Sequence, residues 1–199
     1  MKILLIGASG TIGQAVAKRL SDQHQLITAN YSGGDVQVDL GDSSSISAMF
    51  NQVGQVDAVI STAGLANFAP LEKLNDAEFN LAMNNKLMGQ INLFRLGQGY
   101  INEGGSITLT SGVLSKEPMP GSSVISLANG ALESFVKAAA LEMQSLRLNV
   151  VSPVFVKETM EMMGMDSSSG VSASDTAKSY QAAVTGSLHG TTLDVRDYI

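Results

Sequence analysis

The apolar residues fall into short continuous runs separated by longer stretches with helical spacing. Ile3 to Ile6 is an unbroken apolar run, the pattern of a strand covered on both faces. After a glycine-rich turn, Ile12, Val16, Ala17 and Leu20 recur at the spacing of one helix face. Further strands are expected at 25–29, 36–40, 56–60, 106–110, 146–151 and 191–195. Helices are expected from the Ser43-Ser44-Ser45 cap region to Phe50, and over 75–96, 122–143 and 173–184. Gly104-Gly105 reads as the turn before the fifth strand, and Pro153 stops the sixth. Strands alternate with helices throughout, which implies βαβ units. The expectation is a three-layer α/β fold with a doubly wound parallel sheet of about seven strands. No repeat or low-complexity linker divides it, so residues 1–199 read as one domain. A polar, Met-rich, lid-like segment lies at about 154–172.

Composition narrows the function more than the fold. Only 15% of residues are charged, and 12 Lys+Arg against 18 Asp+Glu leave a net charge of -6. That balance argues against a nucleic-acid partner, because duplex binding needs a basic stripe. The absence of Cys excludes a disulfide framework and a thiolate zinc site. His24 and His189 are too few for a metal site and are expected on solvated surface, so no metal is expected. No apolar run reaches the ~18 residues of a bilayer span. The N-terminal apolar stretch runs into a glycine turn rather than a cleavage site. The expected setting is cytoplasmic, with no membrane partner.

The strongest local feature is Gly7-x-x-Gly10-x-x-Gly13, directly after a buried strand and opening a helix. Residues without Cβ let the backbone approach a diphosphate, and the helix N-terminus offers free N–H donors to it. Ser9, Thr11 and Ile12 fill the turn. A dinucleotide site of the NAD type places an acidic residue at the end of the second strand. Here that region reads Asn30-Tyr31-Ser32. No carboxylate there repels a 2′-phosphate, so NADP(H) is favoured over NAD(H), although no Lys or Arg is present to hold it.

These segments together resemble the short-chain dehydrogenase/reductase family over nearly the whole length. Gly7 to Gly13 is similar to the family's cofactor turn in its G-x-x-G-x-x-G spacing. Asp39-Leu40 matches the acidic position that faces the adenine. Ser61-Thr62-Ala63-Gly64 is similar to the segment after strand four, which makes Ala63 and Gly64 cofactor contacts. Gly105 to Ser111 resembles strand five ending in the catalytic serine. Arg147 to Pro153 resembles the strand-six segment, with Val154 following it, and Thr159 sits where a threonine meets the nicotinamide carboxamide. The resemblance implies a Rossmann-type fold, an NAD(P)(H) cofactor, a small carbonyl or alcohol substrate, and a homodimer or homotetramer. Small residues along the helix at 122–143 suit its use as a subunit interface. The chain is short for that family after Pro153, so a pocket there is expected to be shallow or completed by another subunit.

The departures fall on the chemistry. The family's Tyr-x-x-x-Lys pair aligns on Ile125 and Asn129, and all four tyrosines lie outside that helix. Isoleucine transfers no proton, and a general acid is worth about 10²- to 10⁴-fold. Counting back from Gly89 places Lys86, with Asn85 beside it, at the family's catalytic Asn. The two residue types are thus exchanged between facing helices. Ser111, Lys86 and Asn129 are the expected catalytic residues, with Lys86 also near the cofactor ribose. Three readings follow: a hydride-transferring oxidoreductase, a catalytically degenerate NADP(H)-binding sensor or interaction module, and a reductase for an activated C=C bond.

Overall fold

Each apolar run forms a strand: β1 (Lys2–Ile6), β2 (Gln25–Asn30), β3 (Val36–Gln37), β4 (Val56–Ser61), β5 (Ile101–Thr110), β6 (Arg147–Ser152) and β7 (Thr192–Asp194). In the computed structural model, which describes residues 1–199, they build one sheet in the order β3-β2-β1-β4-β5-β6-β7. Every neighbouring pair is parallel. The chain therefore winds outward in both directions from the β1/β4 junction, where a crevice opens at the carboxyl ends of the strands.

The connecting helices are α1 (Thr11–Leu20), α2 (Ser43–Val53), α3 (Asp76–Leu81), α4 (Gln90–Gly97), α5 (Ser123–Ala140), α6 (Lys157–Met162) and α7 (Ala173–Thr185). The sheet's continuous apolar runs follow from burial on both faces. Ile3, Leu5, Ala58 and Ile60 pack against Val16 and Leu20 of α1 and Tyr180 and Ala183 of α7. Leu4, Val59, Ile107 and Leu148 face Phe50 of α2, Leu93 of α4, and Leu132 of α5.

Four local expectations are corrected. The helix read over 75–96 is interrupted: Ala82–Gly89 is a π-helical segment between α3 and α4. β5 begins at Ile101, and Gly104-Gly105 sits inside it as a register shift between Val56 and Ala58 of β4, with Gly104 at φ +76°. The cap of α2 is Asp42 rather than the serines, accepting from the Ser44 N–H. His189 is not merely solvated: its Nδ1 accepts from the Leu148 N–H at 3.0 Å, so its Nε2 is left to donate to the Ala140 carbonyl at 2.9 Å.

Candidate active site

The glycine turn is fixed by backbone proximity. Gly7 adopts φ +81°, and a Cβ on Gly13 would stand 2.0 Å from the Gly7 carbonyl oxygen. Glycine is therefore the residue that lets α1 start tight against the end of β1. Asn30, at the end of β2, accepts the Ser9 N–H at 3.0 Å, and Gln14 donates to the Ser9 carbonyl at 2.7 Å. Thr62 donates to the carbonyls of Ile6 and Gly7 and ties the end of β4 to the same turn.

Two cavities share Thr62 as a wall residue. The first, about 320 Å³, borders Gly7, Ser9, Gly10, Asn30, Tyr31 and Leu40, and continues to Ala63 and Gly64. The second, about 290 Å³, brings Ile12, Lys86, Ser111, Asn129, Pro153, Val154 and Thr159 together. Thr11, Gly13, Ser32 and Asp39 border neither: Gly13 is packing, and Asp39 faces a wider hollow beside Tyr31 and accepts the Gly41 N–H. The turn and crevice fit a dinucleotide: one wall is bare backbone without a Cβ, and a buried polar atom waits at the far end. That atom is Asn129 Oδ1, which has no partner although Asn129 is 2% exposed.

Lys86 is carried by the π-helical segment, whose wider turn is a common device at functional sites. The segment is held by Gln90, whose amide donates to the carbonyls of Thr110 and Lys86 and accepts the Thr110 N–H. β4 pairs with β5 only as far as Thr108, so Gln90 supplies the hydrogen bonds that a longer β4 would give. Gly89 allows close approach, because a Cβ there would meet the Leu40 carbonyl oxygen at 2.7 Å. Lys86 packs beside Gly64 and forms no ion pair. Burial alone draws its pKa down to about 8.

α5 places Ile125, Asn129 and Glu133 on one face at successive four-residue steps. Asn129 donates to the Gly112 carbonyl at 3.3 Å. Glu133, which sequence reasoning missed, is buried and accepts both Ser111 Oγ–H at 2.8 Å and Ser115 Oγ–H at 2.7 Å on one carboxylate oxygen. Its signal was available: an acidic residue at a core position of an apolar helix needs partners. Ser111 thus lines the cavity with its proton already given away. Thr62 was also missed as a separate contact. Tyr180 gives no replacement acid: it is fully buried, its hydroxyl is 2.7 Å from Thr110 Oγ1, and burial pushes its pKa up. The methionines of 157–172 do not line the cavity; Met160 packs inward, and Met162 and Met163 face solvent.

The family profile described as enoyl-(acyl carrier protein) reductase matches residues 7–186. The chain belongs to the short-chain dehydrogenase/reductase family. The protein lin1944 from Listeria innocua is 40% identical, with a TM-score of 0.94 over 98% of this chain and 99% of that one. A small-chain dehydrogenase solved in complex with NADPH is 28% identical, with a TM-score of 0.87 over 98% of this chain and 95% of that one. A short-chain dehydrogenase/reductase of Stachybotrys chlorohalonatus, ATR9, is 30% identical over 76% of this chain and 72% of its own length. No helix of this member is long and apolar enough to cross a membrane.

Proposed function

We propose that this protein is an oxidoreductase that moves a hydride between NADP(H) and a small carbonyl or alcohol substrate. One observation carries the reading: a glycine-turn cavity and a second cavity lined by Lys86, Ser111 and Asn129 share Thr62 as a wall. The family supports it, as does the NADPH complex of the small-chain dehydrogenase.

Gly7, Ser9, Gly10 and the first turn of α1 would hold the diphosphate. Asn30, Tyr31 and Leu40 would border the adenosine, with Asp39 in the hollow on the other side of Tyr31, and Ala63, Gly64, Pro153, Val154 and Thr159 the nicotinamide half. A nicotinamide supplies or accepts the hydride when bound. Preference for NADP(H) over NAD(H) is supported by the absence of a free carboxylate at the end of β2. Asp35, the next one along, is turned back onto the N–H and hydroxyl of Thr28.

The protein's own part is to hold the carbonyl and move a proton. Lys86 is the one cationic donor in the second cavity, and its ammonium gives a proton to the carbonyl oxygen as the carbon is reduced. Asn129 takes the place of the family's lysine and offers its free Oδ1 to a ribose hydroxyl. Ser111, held by Glu133, presents oxygen lone pairs rather than a proton. A second reading, a non-catalytic NADP(H)-binding sensor or interaction module, is favoured by Ile125 in place of an acid and by the commitment of the Ser111 proton.

NADPH titration followed by a carbonyl turnover screen separates the two. The expected result is NADPH binding by wild type and Lys86→Met alike, with turnover reduced about 10²- to 10⁴-fold in the variant. Turnover unchanged in both Lys86→Met and Ser111→Ala would remove the assignment of these side chains.

A further inference from the structure

We infer that Lys86 receives an anionic group of the substrate, and that the substrate is a short 2-oxo acid or the matching 2-hydroxy acid. The inference rests on reading the cleft as a nicotinamide-dependent site. Lys86 lines the second cavity only; the cavity beside Gly7, Ser9 and Gly10 does not include it. Its ammonium therefore stands away from the diphosphate, where the nicotinamide half meets the substrate. Neither cavity has an Asp or Glu in its wall. The ion pairs of the molecule involve Lys178, Arg196 and their carboxylates, all elsewhere. Glu133 is turned to two serine hydroxyls.

A half-buried cation in a cavity wall without a counter-charge attracts an anionic ligand, more strongly there than in open water. The lowered pKa of Lys86 has this same origin, since burial is its only cause. An ammonium carries three donors, so one lysine spans a carboxylate oxygen and the adjacent carbonyl oxygen of a 2-oxo acid. The walls beyond it, Val113, Ile125, Val154 and Phe155, are apolar and suit a short alkyl side chain. A space of about 290 Å³ shared with the nicotinamide leaves room for a small substrate.

Calorimetric titration of the NADP⁺-saturated protein with lactate and with 1,2-propanediol tests this, because the two differ chiefly in the carboxylate. The expected result is lactate binding about tenfold or more tighter than the diol, as a charged hydrogen bond implies. Lys86→Met is expected to abolish that preference while NADP⁺ affinity and melting temperature stay near wild type. The wild-type comparison stands alone should the variant not fold. Equal binding of the two probes, or no binding of either, overturns the inference. So does a Lys86→Met variant that keeps the lactate preference or loses NADP⁺ affinity instead. Selective lactate binding without any change in nicotinamide absorbance would sink the hydride-transfer reading and leave the anion site standing. Turnover of neutral ketones without lactate selectivity would do the reverse.

Discussion

At the scale of single residues, the proposed site exchanges the roles of two side chains. The family's lysine position holds Asn129, and the position of its asparagine holds Lys86; both reach one cavity. The ammonium is the proton-donating form, and its pKa lies near 8 instead of the ordinary 10.5. Carbonyl reduction is therefore expected to be level below pH 8 and to fall as pH rises through about 8; a pH profile of single-turnover rates checks this. A bound carboxylate favours the ammonium and should move that limb upward. Glu133 gives a second residue-level outcome. Glu133→Leu removes the short hydrogen bond of the buried Ser111 hydroxyl and leaves Ser115 only the Gly112 carbonyl, at an expected cost of about 1–3 kcal/mol in denaturant titration. Lys86 was legible in the sequence because Gly89 fixes the count. The orientation of Ser111 was not, because it depends on Glu133, a residue 22 positions away.

At the scale of elements, the periodic apolar runs gave every strand and the major helices, because burial on both sheet faces leaves a pattern that backbone propensity cannot hide. What escaped was set by tertiary contact. The π-helical segment at Ala82–Gly89 has no local sequence mark; it is held by Gln90 against the end of β5 on the side that β4 leaves unpaired. The glycine turn is the opposite case, where local geometry and sequence agree. Gly13→Ala places a Cβ 2.0 Å from a backbone oxygen that cannot move aside. An overpacking cost of about 1–3 kcal/mol is expected, or about 2–4 °C of melting temperature per kcal/mol, together with loss of nucleotide binding. The capping box at the start of α3, in which Asn75 accepts the Ala77 N–H and Glu78 accepts the Asn75 N–H, is a milder control. Asn75→Ala should cost about 1 kcal/mol and leave nucleotide binding intact.

At the scale of the molecule, the second cavity is small, and one long face of the neighbouring helix is left open to solvent. Leu127, Ser134, Ala138 and Leu141 of α5 and its C-cap are exposed, with Leu141 86% accessible. We propose that this face meets a second copy in a homodimer or homotetramer. Light scattering at micromolar concentration should give at least twice the chain mass, and a monomer would contradict it. Every role proposed for the cleft requires a nicotinamide dinucleotide to enter the crevice between the glycine turn and Lys86. Fluorescence titration with NADPH and NADH tests that most directly. Saturable binding, tighter for NADPH, is the expected result; no binding of either at millimolar concentration would contradict it.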